Sequence, residues 1–119
     1  MSIATPSTGP LGLVARTSEV AEVLGGKSAL ARLLQVSPSQ PTRWIDGSER
    51  PSTSNARTIV DLDFLIARAS LVWDESVIPV WLNSPNAFLG GAKPLDSVKA
   101  HGFGPALDAL DAEQSGAFA

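Results

Sequence analysis

Few side chains of the kind that perform catalysis are grouped in this 119-residue sequence. Its single histidine, His101, falls in a predicted turn with no serine, cysteine or second histidine arranged around it. Two acidic pairs are present, Asp61 with Asp63 and Asp74 with Glu75, and both are typical of solvated helix faces. A general acid–base pair would need a pocket that perturbs the pKa of its carboxyl groups. The sequence therefore predicts a protein that is not an enzyme.

Cofactor sites are not indicated either. Lys27-Ser28 after Gly26 is similar to the end of a phosphate-binding loop. However, the first glycine of such a loop would fall at Ala21, and a predicted helix precedes it where a strand is required. With no cysteine and one histidine, we expect no disulfide framework and no thiolate or histidine metal site. The prediction is a chain without cofactor or metal.

Composition and charge define the broad class. A hydrophobic fraction of 44% and a charged fraction of 18% are typical of a folded protein. No apolar run approaches the ~20 residues of a membrane span, and no basic leader precedes a hydrophobic stretch, so we expect a cytoplasmic protein. The net charge of −3 is unevenly distributed along the sequence. Up to Val60 there are six basic and four acidic residues, and from Asp61 onward there are three basic and eight acidic residues. The mildly basic first half permits a nucleic-acid-binding face.

The secondary-structure elements that would position these side chains are predicted to be short helices, separated by glycine and proline residues. Residues 1–16 have the composition of a flexible arm. A first helix is expected from near Ser18 to Gly25-Gly26, and a second from about Lys27 to Leu34. No alternating strand pattern is present, so the predicted fold class is all-α.

A helix-turn-helix unit is the most specific element of the first half. Ser37-Pro38 with Gln40 predicts an N-cap, a first helical proline and a capping box, and the helix then begun ends at Asp46-Gly47. Pro41 is expected to remove one helical hydrogen bond, and Trp44 is expected in the core.

In such units the first exposed residues of the second helix contact bases or phosphates of the major groove. A helix-turn-helix used only for packing is the alternative. The candidate DNA-binding residues are Lys27, Ser39, Gln40, Thr42, Arg43 and Arg50.

The longest periodic segment runs from about Ser54 to Trp73 and carries two apolar stripes. Together they cover roughly half of the helix circumference, more than one partner helix would hide. This helix is either the spine of the domain or part of a dimer contact. One stripe is Ile59, Leu62, Ile66, Ala69 and Trp73, and the other is Val60, Phe64, Ala67 and Leu71.

The last third alternates helix stops with short apolar runs and finishes on apolar residues. Pro94 is expected to open a helix with Leu95 and Val98 facing the core. Pro105 is expected to start the last helix, which cannot continue past Ser115-Gly116. An apolar ending with no further core to join indicates that another protein receives it.

These features together resemble the antitoxins of the Xre/MbcA/ParS type, the partners of RES-domain toxins. The resemblance runs from about Ser18 to the end, is strongest in the last third, and departs from the family at Pro41. In the last third it rests on Trp81-Leu82-Asn83-Ser84-Pro85-Asn86, Leu89-Gly90-Gly91, Lys93-Pro94-Leu95-Asp96, Gly104 with Leu107 and Leu110, and Gly116-Ala117-Phe118-Ala119. In the first half it rests on Ala31-Arg32-Leu33-Leu34, Val36-Ser37, Arg43-Trp44 and Gly47 with Arg50-Pro51.

The resemblance implies an inhibitor. RES toxins consume NAD by hydrolysis or phosphorolysis, and their antitoxins block the NAD pocket with the C-terminal segment. It further implies autoregulation through promoter DNA and a homodimer that bridges toxin subunits. The toxin-binding residues implied are Gln114, Ser115, Gly116, Ala117, Phe118 and Ala119.

The implied organisation has four parts. Residues 1–16 form the arm, 17–51 an Xre-like helix-turn-helix domain, 52–73 a connecting helix, and 74–119 the toxin-binding domain. Two other functions stay open. One is a stand-alone transcriptional regulator whose C-terminal lobe dimerises or binds another protein. The other, a small-molecule-binding helical protein, lacks a polar cluster to support it.

Overall fold

A computed structural model of the chain describes residues 10–116 and shows only helices there. The all-α fold class is therefore confirmed, and no helix in this range is long and apolar enough to cross a membrane. A short 3-10 helix, Ala87–Leu89, lies between α5 and α6. The α-helices are α1 (Pro10–Leu24), α2 (Lys27–Leu34), α3 (Gln40–Asp46), α4 (Thr53–Ser70), α5 (Val77–Leu82), α6 (Pro94–His101) and α7 (Phe103–Gln114).

The helix α4 is the spine of the fold. It packs against α1, α5, α6 and α7, and Ile59, Leu62 and Leu65 on its inner face are fully buried. These residues join one hydrophobic cluster with side chains from every other α-helix. The first predicted stripe accordingly faces the core, whereas Phe64, Ala67 and Leu71 of the second stripe are exposed. The division of the chain into a helix-turn-helix domain, a connecting helix and a toxin-binding domain stays a prediction.

The first helix is longer than predicted. It begins at Pro10 rather than near Ser18, so the arm predicted for residues 1–16 is wrong from residue 10 onward. The reason is tertiary: Thr17 is fully buried, its hydroxyl donates to the carbonyl of Leu13 over 2.7 Å, and α1 lies along α4. Packing on the spine stabilises a helix whose local sequence carries little helical signal.

The last helix also begins earlier than predicted, at Phe103 instead of Pro105. The carboxylate of Asp61 on α4 lies near the start of α7, close to the backbone N–H of Phe103. Burial nevertheless raises the pKa of Asp61, outweighing the effects of this N–H group and of the Arg57 charge. The Phe103 ring packs edge-to-face on Phe64, with centroids 5.0 Å apart. A carboxylate from another helix and an aromatic contact thus lie at a helix start whose N-cap residue is a glycine.

The spine is capped at its N-terminus by Ser52, whose hydroxyl accepts from the backbone N–H of Asn55 at 3.1 Å. We expect Ser52→Ala to lower the free energy of unfolding by about 0.5–2 kcal/mol, because one helix-end donor loses its partner. Denaturant unfolding measures this change. Ser54→Ala, the same substitution inside the first turn, is the control and should be neutral or slightly stabilising. Equal losses from both would show that Ser52 has no special role.

Candidate functional site

The helices α2 and α3 form the predicted helix-turn-helix. The bounds of α2 and the end of α3 at Asp46 are confirmed. Between the helices the backbone of Gln35 turns through a left-handed conformation, with φ of 58°, and the N–H of Val36 donates to the carbonyl of Ala31 at 3.0 Å. Trp44 is buried in the core, as predicted. Packing therefore fixes one face of α3 and leaves the other outward.

The predicted capping box at the start of α3 is wrong. The N-cap is Ser39, not Ser37, and no side chain caps the helix. Gln40 does not turn back on its own helix: its Nε2 donates to Oε2 of Glu49 at 3.1 Å. Pro41 lies in the first turn, where no intrahelical partner for its nitrogen is needed, and its ring is buried. The expected loss of a helical hydrogen bond at Pro41 therefore does not arise.

Three predicted DNA-binding residues form one network: Gln40 and Arg43 both bind Glu49, which sequence reasoning missed, and Arg43 also binds Ser39. Nε of Arg43 donates to Oε1 of Glu49 at 2.6 Å, and Nη1 of Arg43 donates to Oγ of Ser39 at 2.9 Å. The hydrogen bonds from Arg43 and then Gln40 lower the pKa of Glu49, so its carboxylate stays ionised at neutral pH. The guanidinium is held in a fixed direction, and part of its charge is offset.

The other predicted DNA-binding residues lie around this network. Lys27, Thr42 and Arg50 are exposed. Lys27 opens α2, and its charge contributes to lowering the pKa of Asp46, although the larger cause is hydrogen bonding from Ser48. The six predicted residues thus occur on α2, on α3 and in the segment after α3.

The C-terminal segment leaves the core at the end of α7. The last buried residue of this helix is Leu110, and Gln114, Ser115 and Gly116 are exposed. Gly116 adopts a positive φ of 79°, and its N–H donates to the carbonyl of Glu113 at 3.2 Å. The helix therefore stops where predicted. The remaining predicted toxin-binding residues, Ala117, Phe118 and Ala119, lie outside the described residues.

An apolar groove opens beside α5, close to this segment. We call it the α5 groove and define it by Trp73, Val77, Val80, Trp81 and Pro85, which line a volume of about 440 Å³. The rings of Trp73 and Trp81 pack edge-to-face, with centroids 5.6 Å apart. Glu113, directly before Gln114, also lines the groove. The groove and the predicted toxin-binding segment are therefore adjacent.

A catalytic or metal centre is not apparent in the described part of the chain. No group of three or more histidine, cysteine, aspartate or glutamate side chains could hold a metal ion there. Asp63 pairs with Arg16 at 3.3 Å. Hydrogen bonds from Ser76 lower the pKa of Asp74. Asp61 and Asp63 thus lie half-buried on α4, whereas Asp74 and Glu75 are exposed between α4 and α5, so the predicted helix face is wrong for this second pair.

Comparison with known proteins gives relatives of one kind. The chain is 28% identical over 86 residues to the mycobacterial cidal antitoxin MbcA of Mycobacterium tuberculosis and of Mycobacterium bovis, covering 72% of this chain and 76% of the relative. The structure matches a chain in the crystal structure of the M. tuberculosis MbcT–MbcA toxin–antitoxin complex. That match has a TM-score of 0.72 and 27% identity, over 90% of this chain and 97% of the other. No protein-family model matches the chain.

This protein is a homologue of the antitoxin MbcA. The structural match covers 90% of this chain and 97% of the matched one, so the shared fold extends over most of the helices described above. The resemblance inferred from the sequence is confirmed.

Sequence reasoning about this MbcA homologue missed two features. Glu49 was missed because its partners Gln40 and Arg43 lie nine and six positions away, across the end of a helix. The outer face of α5 was missed although a signal was present: all six residues of the helix are apolar. A helix without a polar face indicates contacts on both sides.

Proposed function

We propose that this chain is an antitoxin that neutralises a RES-domain, NAD-consuming toxin by occluding its active site with residues 114–119. The proposal is that of a non-enzymatic, cytoplasmic protein. The observation that carries it is the structural match to the MbcT–MbcA complex, which spans 90% of this chain. The exposed end of α7 beside an apolar groove supports it further, since both features suit a partner protein better than a small substrate.

The geometry supports a specific mode of inhibition. Gly116 ends α7 with a left-handed turn, and the last core residue among those described is Leu110. Phe118 is the largest apolar group of the predicted segment, and full burial of an aromatic side chain stabilises a complex by ~1.5–3 kcal/mol before ordering costs. A stable complex needs a larger interface, so other surfaces of the antitoxin must contribute.

Co-expression with the neighbouring genes tests the proposal. We expect a toxin to co-purify with this chain, and we expect NAD loss by that toxin to be suppressed in the complex and to appear when the toxin is isolated. A chain that co-purifies with no toxin, and that binds promoter DNA alone, would instead be a stand-alone regulator.

We further propose that the helix-turn-helix binds promoter DNA for autoregulation, in a homodimer that bridges toxin subunits. Arg43 is presented on α3 and oriented by Glu49 and Ser39. We expect Arg43→Ala to weaken promoter binding roughly tenfold or more, because one cationic contact with the DNA is lost. The slope of log affinity against log salt concentration should become shallower by about one. Binding isotherms at several salt concentrations measure both quantities.

Glu49→Ala is the matched control for this prediction. It removes the same Arg43–Glu49 ion pair, which is partly exposed and contributes little to stability, but it retains the cation. We expect promoter affinity to be unchanged or higher, because a negative charge near the phosphates is removed. Equal weakening by the two variants would show that promoter binding depends on the intact Arg43–Glu49 pair and not on the Arg43 cation alone.

A further inference from the structure

The outer face of α5 lacks a partner in the described residues. All six residues of this helix are apolar, and three of them are buried in the core. On the opposite side Val77 and Val80 remain 43% and 64% exposed. Because an all-apolar helix is normally buried on all sides, this exposed face is suited to contact another molecule.

The α5 groove beside this face has the character of an anchor site. Its walls are mainly aromatic and aliphatic, with Ser84, Asn86 and Glu113 as the polar members. An apolar side chain of a bound segment would fill this space.

A second groove on the other side of α5 is acidic. It has a volume of about 220 Å³ and is lined by Glu19, Glu22 and Glu75, together with Ile78 and Pro79 of α5. All three glutamates are exposed, and none is in an ion pair with another described residue. Cationic side chains of a partner would complement this acidic groove.

We propose that α5 and its two flanking grooves form a docking surface for a segment of the toxin that carries both apolar and basic side chains. An apolar side chain of the toxin fills the α5 groove, and lysine or arginine side chains of the same segment pair with Glu19, Glu22 and Glu75. This inference rests on the proposed function and adds the surface that the C-terminal segment alone cannot supply.

Charge and continuity favour the toxin over a second copy of this chain. A symmetric contact places the same patch against itself, so Glu19, Glu22 and Glu75 of one copy would approach the same glutamates of the other. Glu113 lines the α5 groove directly before Gln114, where the predicted toxin-binding segment begins. A toxin that holds this segment is therefore positioned to cover α5.

The test compares two exposed valines in the full chain. Val80 lines the α5 groove and is 64% exposed, whereas Val72 is 60% exposed and lines neither groove. We expect Val80→Asp to weaken binding at least about tenfold, measured by calorimetry against toxin purified from the wild-type complex. Val72→Asp should bind within about twofold of wild type. Thermal unfolding verifies that both variants are folded.

A charge variant tests the acidic groove separately. We expect Glu75→Lys to weaken toxin binding several-fold at low salt and less at high salt, because an attractive contact becomes repulsive. Asp108→Lys, an exposed acid on α7 outside both grooves, is the control and should leave affinity nearly unchanged.

The outcomes separate this inference from the proposed function. If the wild-type chain fails to bind the toxin, both are overturned. If the wild type binds and Val80→Asp binds equally well, or if Val72→Asp loses as much, only the docking surface is overturned. A Val80→Asp variant that turns a dimer into a monomer with unchanged toxin affinity would assign the surface to a second copy.

Discussion

Removal of residues 116–119 is expected to restore NAD consumption by the bound toxin. The segment proposed to occlude the active site of the toxin, residues 114–119, consists of these residues and the two before them. The core among residues 10–116 ends at Leu110, which the deletion leaves in place. The truncated chain should therefore unfold at the same temperature as the full chain. NAD loss, followed in the purified complex over time, is the measurement.

Point variants at Phe118 refine this prediction. Phe118→Ala should weaken inhibition about 10- to 100-fold, since ~1.5–3 kcal/mol of aromatic burial is lost. Phe118→Leu keeps most of the apolar area and should retain most of the inhibition. Unchanged inhibition after the full truncation would show that the toxin is blocked by another surface.

Local signals in the sequence were sufficient for elements with clear ends. Gly25-Gly26 predicted the boundary before α2, and Asp46-Gly47 predicted the end of α3. Pro94 predicted the start of α6, with Leu95 and Val98 in the core. At Gly26 and Gly47 the backbone takes positive φ values that other residues rarely adopt. Such signals act within a few residues and can be read from the sequence.

Elements stabilised by distant partners were not predictable in the same way. The first turns of α1 depend on packing against α4, including the pair of Arg16 with Asp63. The start of α7 is in contact with α4, where the ring of Phe64 packs against Phe103. No short-range pattern connects these positions, so both helix starts were placed too late in the sequence.

The candidate site follows the same division. Arg43 and the other proposed DNA-binding residues could be selected because a helix-turn-helix fixes which positions face outward. The hydrogen bonds from Gln40 and Arg43 to Glu49 could not be predicted, because they depend on how the chain folds back after α3. The toxin-binding segment was inferred from its apolar composition, whereas the α5 groove required knowing which face of α5 the core covers.

The spine helix offers the largest expected effect on stability. Leu62 is fully buried where α4 meets its neighbours, and Leu71 just past the end of the same helix is 77% exposed. We expect Leu62→Ala to lower the free energy of unfolding by ~2–5 kcal/mol, because burial is lost and a cavity is left. The melting temperature should fall by roughly 10 °C or more.

Leu71→Ala is the matched control, since it deletes the same atoms from a site already in water. Its expected effect on the free energy of unfolding is within about 0.5 kcal/mol. The pair separates the two roles that an apolar residue in α4 or at its C-terminal cap can have: packing in the core and contact with a partner. If Leu71→Ala were as destabilising as Leu62→Ala in the isolated chain, Leu71 would be buried in solution, which would require a self-associated form that covers it. If Leu71→Ala instead left stability unchanged but weakened the toxin complex, the exposed end of the spine would belong to the partner interface.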